Sequence, residues 1–184
     1  MRRLASLLAL SLVLLCAGAT AASADEYRCT GSVGARTLDN VKVPDGRSCN
    51  LTGTYVKGTI SVGSRSTLNA DEVRVMGNIQ GENSARIVVT DSRVGGSVQI
   101  VQGRAADIRR NSVNGDVLFD DQGGAVVANR NLVGGNIQAF QNTDGVSLRR
   151  NTVDGNLQCK GNSPRPVGGG NVVDGSKEDQ CRNL

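Results

Sequence analysis

A glycine returns along this chain at Gly58, Gly77, Gly96, Gly115, Gly135, Gly155 and Gly175, at intervals of 19 residues and then of 20. Each is framed alike. Two residues before it stand Val56, Val75, Val94, Val113, Val133, Val153 and Val173. Two after the first six stand Ile60, Ile79, Val98, Val117, Ile137 and Leu157. Asp39 marks a degenerate first repeat, 19 residues ahead of Gly58. A fixed period of this length in a glycine-rich chain is the mark of a solenoid.

The columns decide which solenoid. Seven residues before the glycine come Leu51, Ala70, Val89, Ile108, Ala128 and Leu148; nine before come Leu68, Ile87, Ala106, Val126 and Val146. Within each block these alternate with polar residues, the period of a strand with one buried face. β-Branched Val and Ile dominate, as strands prefer. A strand that returns to its own phrase pairs with the earlier copy in parallel. The expectation is an all-β, single-domain parallel β-helix of about seven or eight coils stacked ~4.8 Å apart. A right-handed coil is expected from the rule for parallel crossovers. The glycine faces inward by parity and marks either a corner with unusual dihedrals or a close approach of walls.

The ends read differently. MRRLASLLALSLVLLCAGATAASA has a basic start, an apolar stretch too short for a comfortable span and a small-residue cleavage site. The expected organisation is a secretory signal peptide at 1–24, an N-terminal cap at 25–36, repeats at 37–175 and a C-terminal cap at 176–184. The mature chain would then be secreted or periplasmic, with no membrane span. Cys29, Cys49, Cys159 and Cys181 remain after cleavage. Their even number in an exported chain implies disulfides, and the simplest pairing is Cys29–Cys49 and Cys159–Cys181. These would hold the terminal coils, whose open strand edges otherwise invite aggregation. A monomer is expected from such capped ends.

The Val-x-Gly-x-Ile rungs resemble the secreted parallel β-helix repeat proteins of bacteria, and also the bactofilin-like polymer-forming proteins. The resemblance covers about residues 37–175. It implies the architecture. It leaves the activity open, since such families include lyases, hydrolases, adhesins and scaffold polymers.

Composition narrows the function. The chain has 21 basic and 17 acidic residues, with Arg2 and Arg3 in the leader, so the rest is almost balanced and nucleic acid is not a expected partner. Histidine is absent, which removes the commonest general base and metal ligand. No motif calls for a cofactor or a metal. Five residues before the glycine stand Glu72, Asp91, Arg110, Arg130 and Arg150, with Arg109 and Arg149 beside them. Stacked guanidinium groups suit carboxylates, phosphates or sulfates, which Arg binds bidentately. The favoured reading is a non-catalytic protein with a binding or structural role at the envelope or outside the cell, its partner an acidic polysaccharide or other envelope polymer. The alternative is a small polysaccharide lyase or glycoside hydrolase. Its carboxylates would be Asp120, Asp121 and Asp144, in the loops 120–125 and 140–145 where the period lengthens. A second alternative is a self-assembling scaffold. The Asn column Asn111, Asn131, Asn151 and Asn171 is read as structural.

Overall fold

The computed structural model describes residues 25–184; the expected leader and its cleavage site lie outside them. The described chain is all-β, with three parallel sheets of nine, eight and eight strands. One coil runs through Val98–Val101 in sheet A, Ala105–Arg109 in sheet B and Ser112–Val113 in sheet C, then re-enters sheet A at Val117–Asp120. Each strand pairs in register with its copy one coil on, as Val98 with Val117 and Val117 with Ile137. The valine, isoleucine and leucine columns named above line the interior and form one core along the axis. Size varies along it: Phe119, the largest buried side chain, stacks on Ala139 of the next coil.

From the second coil on, two corners turn through the left-handed region. Between sheets A and B, residues such as Arg65, Gln102, Asp121 and Gln141 have φ near 54°. Between sheets B and C stand Glu72, Asp91, Arg110, Arg130 and Arg150. The third corner holds the glycine column, and its glycines keep negative φ. They are required by close approach, and the approach comes along the axis from the neighbouring coil. A Cβ on Gly77 would lie 2.7 Å from both the Gly58 carbonyl oxygen and Thr59 Oγ1. Thr59 Oγ1 leans there to accept the Asn78 N–H at 3.2 Å. Asn78, Ser97, Asp116, Asn136 and Asn156 repeat this bond upward. Asp39 fills the glycine position of the first coil, where its carbonyl accepts the Gly58 N–H at 2.7 Å.

Inside the other two corners run buried amide ladders. Asn131 Oδ1 accepts the backbone N–H and the side-chain amide of Asn111, while its own Nδ2 donates to Ile108 O and Asn151 Oδ1. Asn151 and Asn171 continue the series. Between sheets A and B, Gln122, Asn142, Asn162 and Gln180 form a second ladder. Polar side chains are tolerated in this interior because backbone and amide groups satisfy each other.

Both disulfides form as expected, with Cα–Cα distances of 5.4 Å for Cys29–Cys49 and 5.2 Å for Cys159–Cys181. Regular pairing already begins with Glu26 against Asn40 and continues to Lys177–Asp179 against Leu157–Cys159. Tyr27 covers one end of the core and Leu184 packs against it near the other.

Candidate functional site

The corner between sheets B and C carries the arginines. Its column reads Gly53, Glu72, Asp91, Arg110, Arg130, Arg150, Gly170, with φ between 49° and 69° throughout. A left-handed L residue costs about 1 kcal/mol, and Gly, Asn and Asp bear it best. Backbone preference therefore does not explain three arginines here. Each corner N–H donates to the next coil: Arg110 to Asn129 O, Arg130 to Arg149 O and Arg150 to Gly169 O, all at 3.0 Å. The three side chains thus leave the rod one above another, exposed and ~4.8 Å apart at the backbone.

The five arginines are not equivalent. Arg110 makes two parallel bonds to Asp91, Nε to Oδ1 at 2.7 Å and Nη2 to Oδ2 at 2.6 Å. Hydrogen bonding to Arg110 holds the Asp91 carboxyl below its usual range, and the same bonds raise the Arg110 guanidinium. Arg109 Nε bonds Asp107, two residues back on the same face of sheet B. Arg130, Arg149 and Arg150 take part in none of the ion pairs found among the described residues. A depression of about 390 Å³ opens beside Arg149 and Arg150, lined also by Asn129, Gly169 and Gly170. It exists because the next coil has no side chain at those two glycines. Asn129 Oδ1, which also lines it, is buried without a hydrogen-bond partner among the described residues.

The acidic loops do not assemble a pair. Asp120 is half-buried on the outer face of sheet A, Asp121 is exposed at the left-handed corner with φ 54°, and Asp144 is exposed just before Val146–Arg149 in sheet B. The depression beside Asp120 is lined by Phe140, Gln141, Lys160 and Gly161, without Asp121 or Asp144. Asn142, two residues before Asp144, is an interior ladder residue donating to Phe119 O and Asn162 Oδ1. Among the described residues no group of three or more His, Cys, Asp or Glu is arranged to hold a metal ion, and no helix is long and apolar enough to cross a membrane.

Reading columns by residue type alone missed the Asp91–Arg110 pair. The signal was present: opposite charges 19 residues apart in one column must face each other across adjacent coils. Comparison of the chain with protein-family models, with curated proteins and with solved structures finds no match.

Proposed function

We propose that this protein is a non-catalytic binding module of the cell envelope or the extracellular space, and that Arg130, Arg149 and Arg150 hold an anionic polymer, most simply an acidic polysaccharide. The observation that carries this reading is the set of three guanidinium groups on two adjacent coils, in none of the ion pairs among the described residues, two of them (Arg149 and Arg150) beside a glycine-lined depression. Two disulfides are compatible with an extracytoplasmic location, and the leader-like first 24 residues support export.

Each guanidinium binds one carboxylate or sulfate through two parallel bonds. The corner backbones are fixed by hydrogen bonds, so the ordering cost of binding falls on the arginine side chains, at about 0.5–1.5 kcal/mol each. Exposed charges are screened by salt, so affinity falls as ionic strength rises. Arg109 and Arg110 contribute less, because their own carboxylates already occupy them.

The double variant Arg130→Gly/Arg150→Gly tests this without disturbing the fold, since glycine suits both left-handed positions. Wild type should co-sediment with an acidic polysaccharide in low salt, the variant should lose at least ten-fold in affinity, and both should melt alike. Equal binding by wild type and variant, or binding that ignores salt, would overturn the anion reading. Release of oligosaccharide by wild type would replace it with the enzymatic one.

A further inference from the structure

The outer face of sheet A carries a different chemistry. Its first outward column reads Lys42, Ser61, Gln80, Gln99, Leu118, Gln138, Gln158, Glu178, one residue per coil. The amides pair along the axis: Gln80 Nε2 donates to Gln99 Oε1 at 3.1 Å, Gln138 Nε2 to Gln158 Oε1 at 2.8 Å, and Gln158 Nε2 to Glu178 Oε2 at 2.9 Å. Leu118 interrupts the run. Among the described residues, the Gln99 amide nitrogen is then left without an acceptor and Gln138 Oε1 without a donor, one on each side of Leu118.

The neighbouring outward column inverts this arrangement. Asp120 lies between Val101 and Phe140 in the same register. Six half-buried side chains thus make a grid of two columns by three coils. One column is polar, apolar, polar (Gln99, Leu118, Gln138). The other is apolar, polar, apolar (Val101, Asp120, Phe140). The Asp120 carboxylate has no ion-pair or side-chain hydrogen-bond partner among the described residues. The grid adjoins a depression of about 700 Å³ on one side and one of about 470 Å³ on the other.

We infer that this grid is a binding site for a neutral sugar ring, distinct from the arginine corner. A pyranose has apolar C–H faces and a rim of hydroxyls. Leu118, Val101 and Phe140 offer an apolar floor to the C–H face. Asp120 accepts from two neighbouring hydroxyls, Gln138 Oε1 accepts from another, and the Gln99 amide donates to a hydroxyl oxygen. The grid spans on the order of 10 by 7 Å, from the strand spacing and the rise per two residues, the footprint of a single ring. A uronate would set its carboxylate against Asp120, so this site rejects the acidic sugars that the arginine corner would take.

The test is nuclear magnetic resonance titration of the isotope-labelled protein with methyl glucoside, methyl galactoside, methyl mannoside and glucuronate. At least one neutral glycoside should shift signals clustered at 99–101, 118–120 and 138–140, and glucuronate should not. Leu118→Gln completes the amide ladder, so it should fold as well as wild type and bind at least ten-fold more weakly. Asp120→Asn should weaken the neutral sugar and remove the discrimination against glucuronate. Shifts that are absent or scattered with every neutral glycoside, or unchanged binding by Leu118→Gln, would overturn the proposal. Leu118→Gln should keep its binding to anionic polymer and Arg130→Gly/Arg150→Gly its response to neutral glycoside, so either site can fail alone.

Discussion

The coils of period 19 and those of period 20 solve the same corner in two ways. In the N-terminal half the inner corner positions hold Thr54, Val73 and Ser92 on one side and Ser66, Ser84 and Gly103 on the other. In the C-terminal half they hold asparagines and glutamine, in two continuous ladders. The added residue lies between Asp120 and Val126, where Ala106 pairs with Val126. The loop lengthens where the amide ladder of that corner begins, at Gln122. The junction is imperfect. Among the described residues, Ser84 Oγ and Gln122 Oε1 are buried without hydrogen-bond partners on either side of Gly103, where a Cβ would lie 2.7 Å from Gln122 Oε1 and 3.1 Å from Ser84 Oγ. Amides join coils through several bonds each, whereas of the corner hydroxyls only Thr54 and Ser92 bond a neighbouring coil and Ser66 bonds Gly63 O within its own. The C-terminal half should therefore depend on its corner side chains far more strongly.

The largest effect expected from this difference is at Asn131. Asn131→Val leaves the Asn111 backbone N–H and one hydrogen of the Asn111 amide without an acceptor inside the rod, and takes a donor from the Ile108 carbonyl. At 1–3 kcal/mol for each buried orphan, partly relieved by relaxation, the cost is about 3–5 kcal/mol. Ser92→Val removes an acceptor from Val73 N and a donor to Thr90 O, for about 1–2 kcal/mol. Stability in a solenoid is a sum over neighbouring coils. Hydrogen exchange should therefore speed up around 108–151 in the first variant, with little change near 41–79. Equal costs in denaturant melts would show that the two corner chemistries are interchangeable.

The disulfides sharpen the comparison at the ends. Sequence separations of 20 and 22 give each about 3 kcal/mol in the chain-entropy model. Their surroundings separate them. The C-terminal tail is also held by Gln180, which bonds the Asn162 N–H, amide and carbonyl at 2.9 to 3.0 Å. The first coil has no such ladder. Cys29→Ala/Cys49→Ala should lower the melting temperature more than Cys159→Ala/Cys181→Ala. The reverse order would mean that Gln180 adds little.

How far these features were legible follows from which contacts run within a coil and which run between coils. The buried columns, the parallel stacking and the cysteine pairing follow from period and parity, because each inward residue repeats at a fixed offset. Sheet C was harder to see, since two residues such as Leu132–Val133 are too few to show alternation. The glycine column could not be explained from one coil, because its crowding comes from the coil below. Gln122 looked like any loop residue, because only the three-dimensional corner turns it inward. At the candidate site the arginine column was legible, but its division into paired and free members rests on Asp91 and Asp107, which a search by residue type passes over. The grid around Leu118 is visible only when two outward columns are laid side by side.

The smallest effect lies where the two halves meet on the outer corner, at the Asp91–Arg110 pair. Acidic Glu72 and Asp91 occupy the N-terminal side of this column and free arginines the C-terminal side. Asp91→Asn should leave the fold unchanged, because asparagine accepts the left-handed φ of 49°. It should release Arg110 and raise affinity for dextran sulfate a few-fold in low salt. The pH dependence has a fixed sign. Hydrogen bonding to Arg110 depresses the Asp91 carboxyl below 3.8, so the pair is intact above that value and is lost as pH falls through the lower folded value. Dextran sulfate stays anionic in that range. Between neutral pH and about pH 5 the gap between Asp91→Asn and wild type should be constant, and on further acidification it should close, as protonation of Asp91 frees Arg110 in the wild type too. A gap that persists in acid would mean that Asp91 acts by general repulsion of the polymer; no gap at any pH would mean that Arg110 reaches the polymer while still paired, and that the occupied and free arginines of the corner are functionally alike.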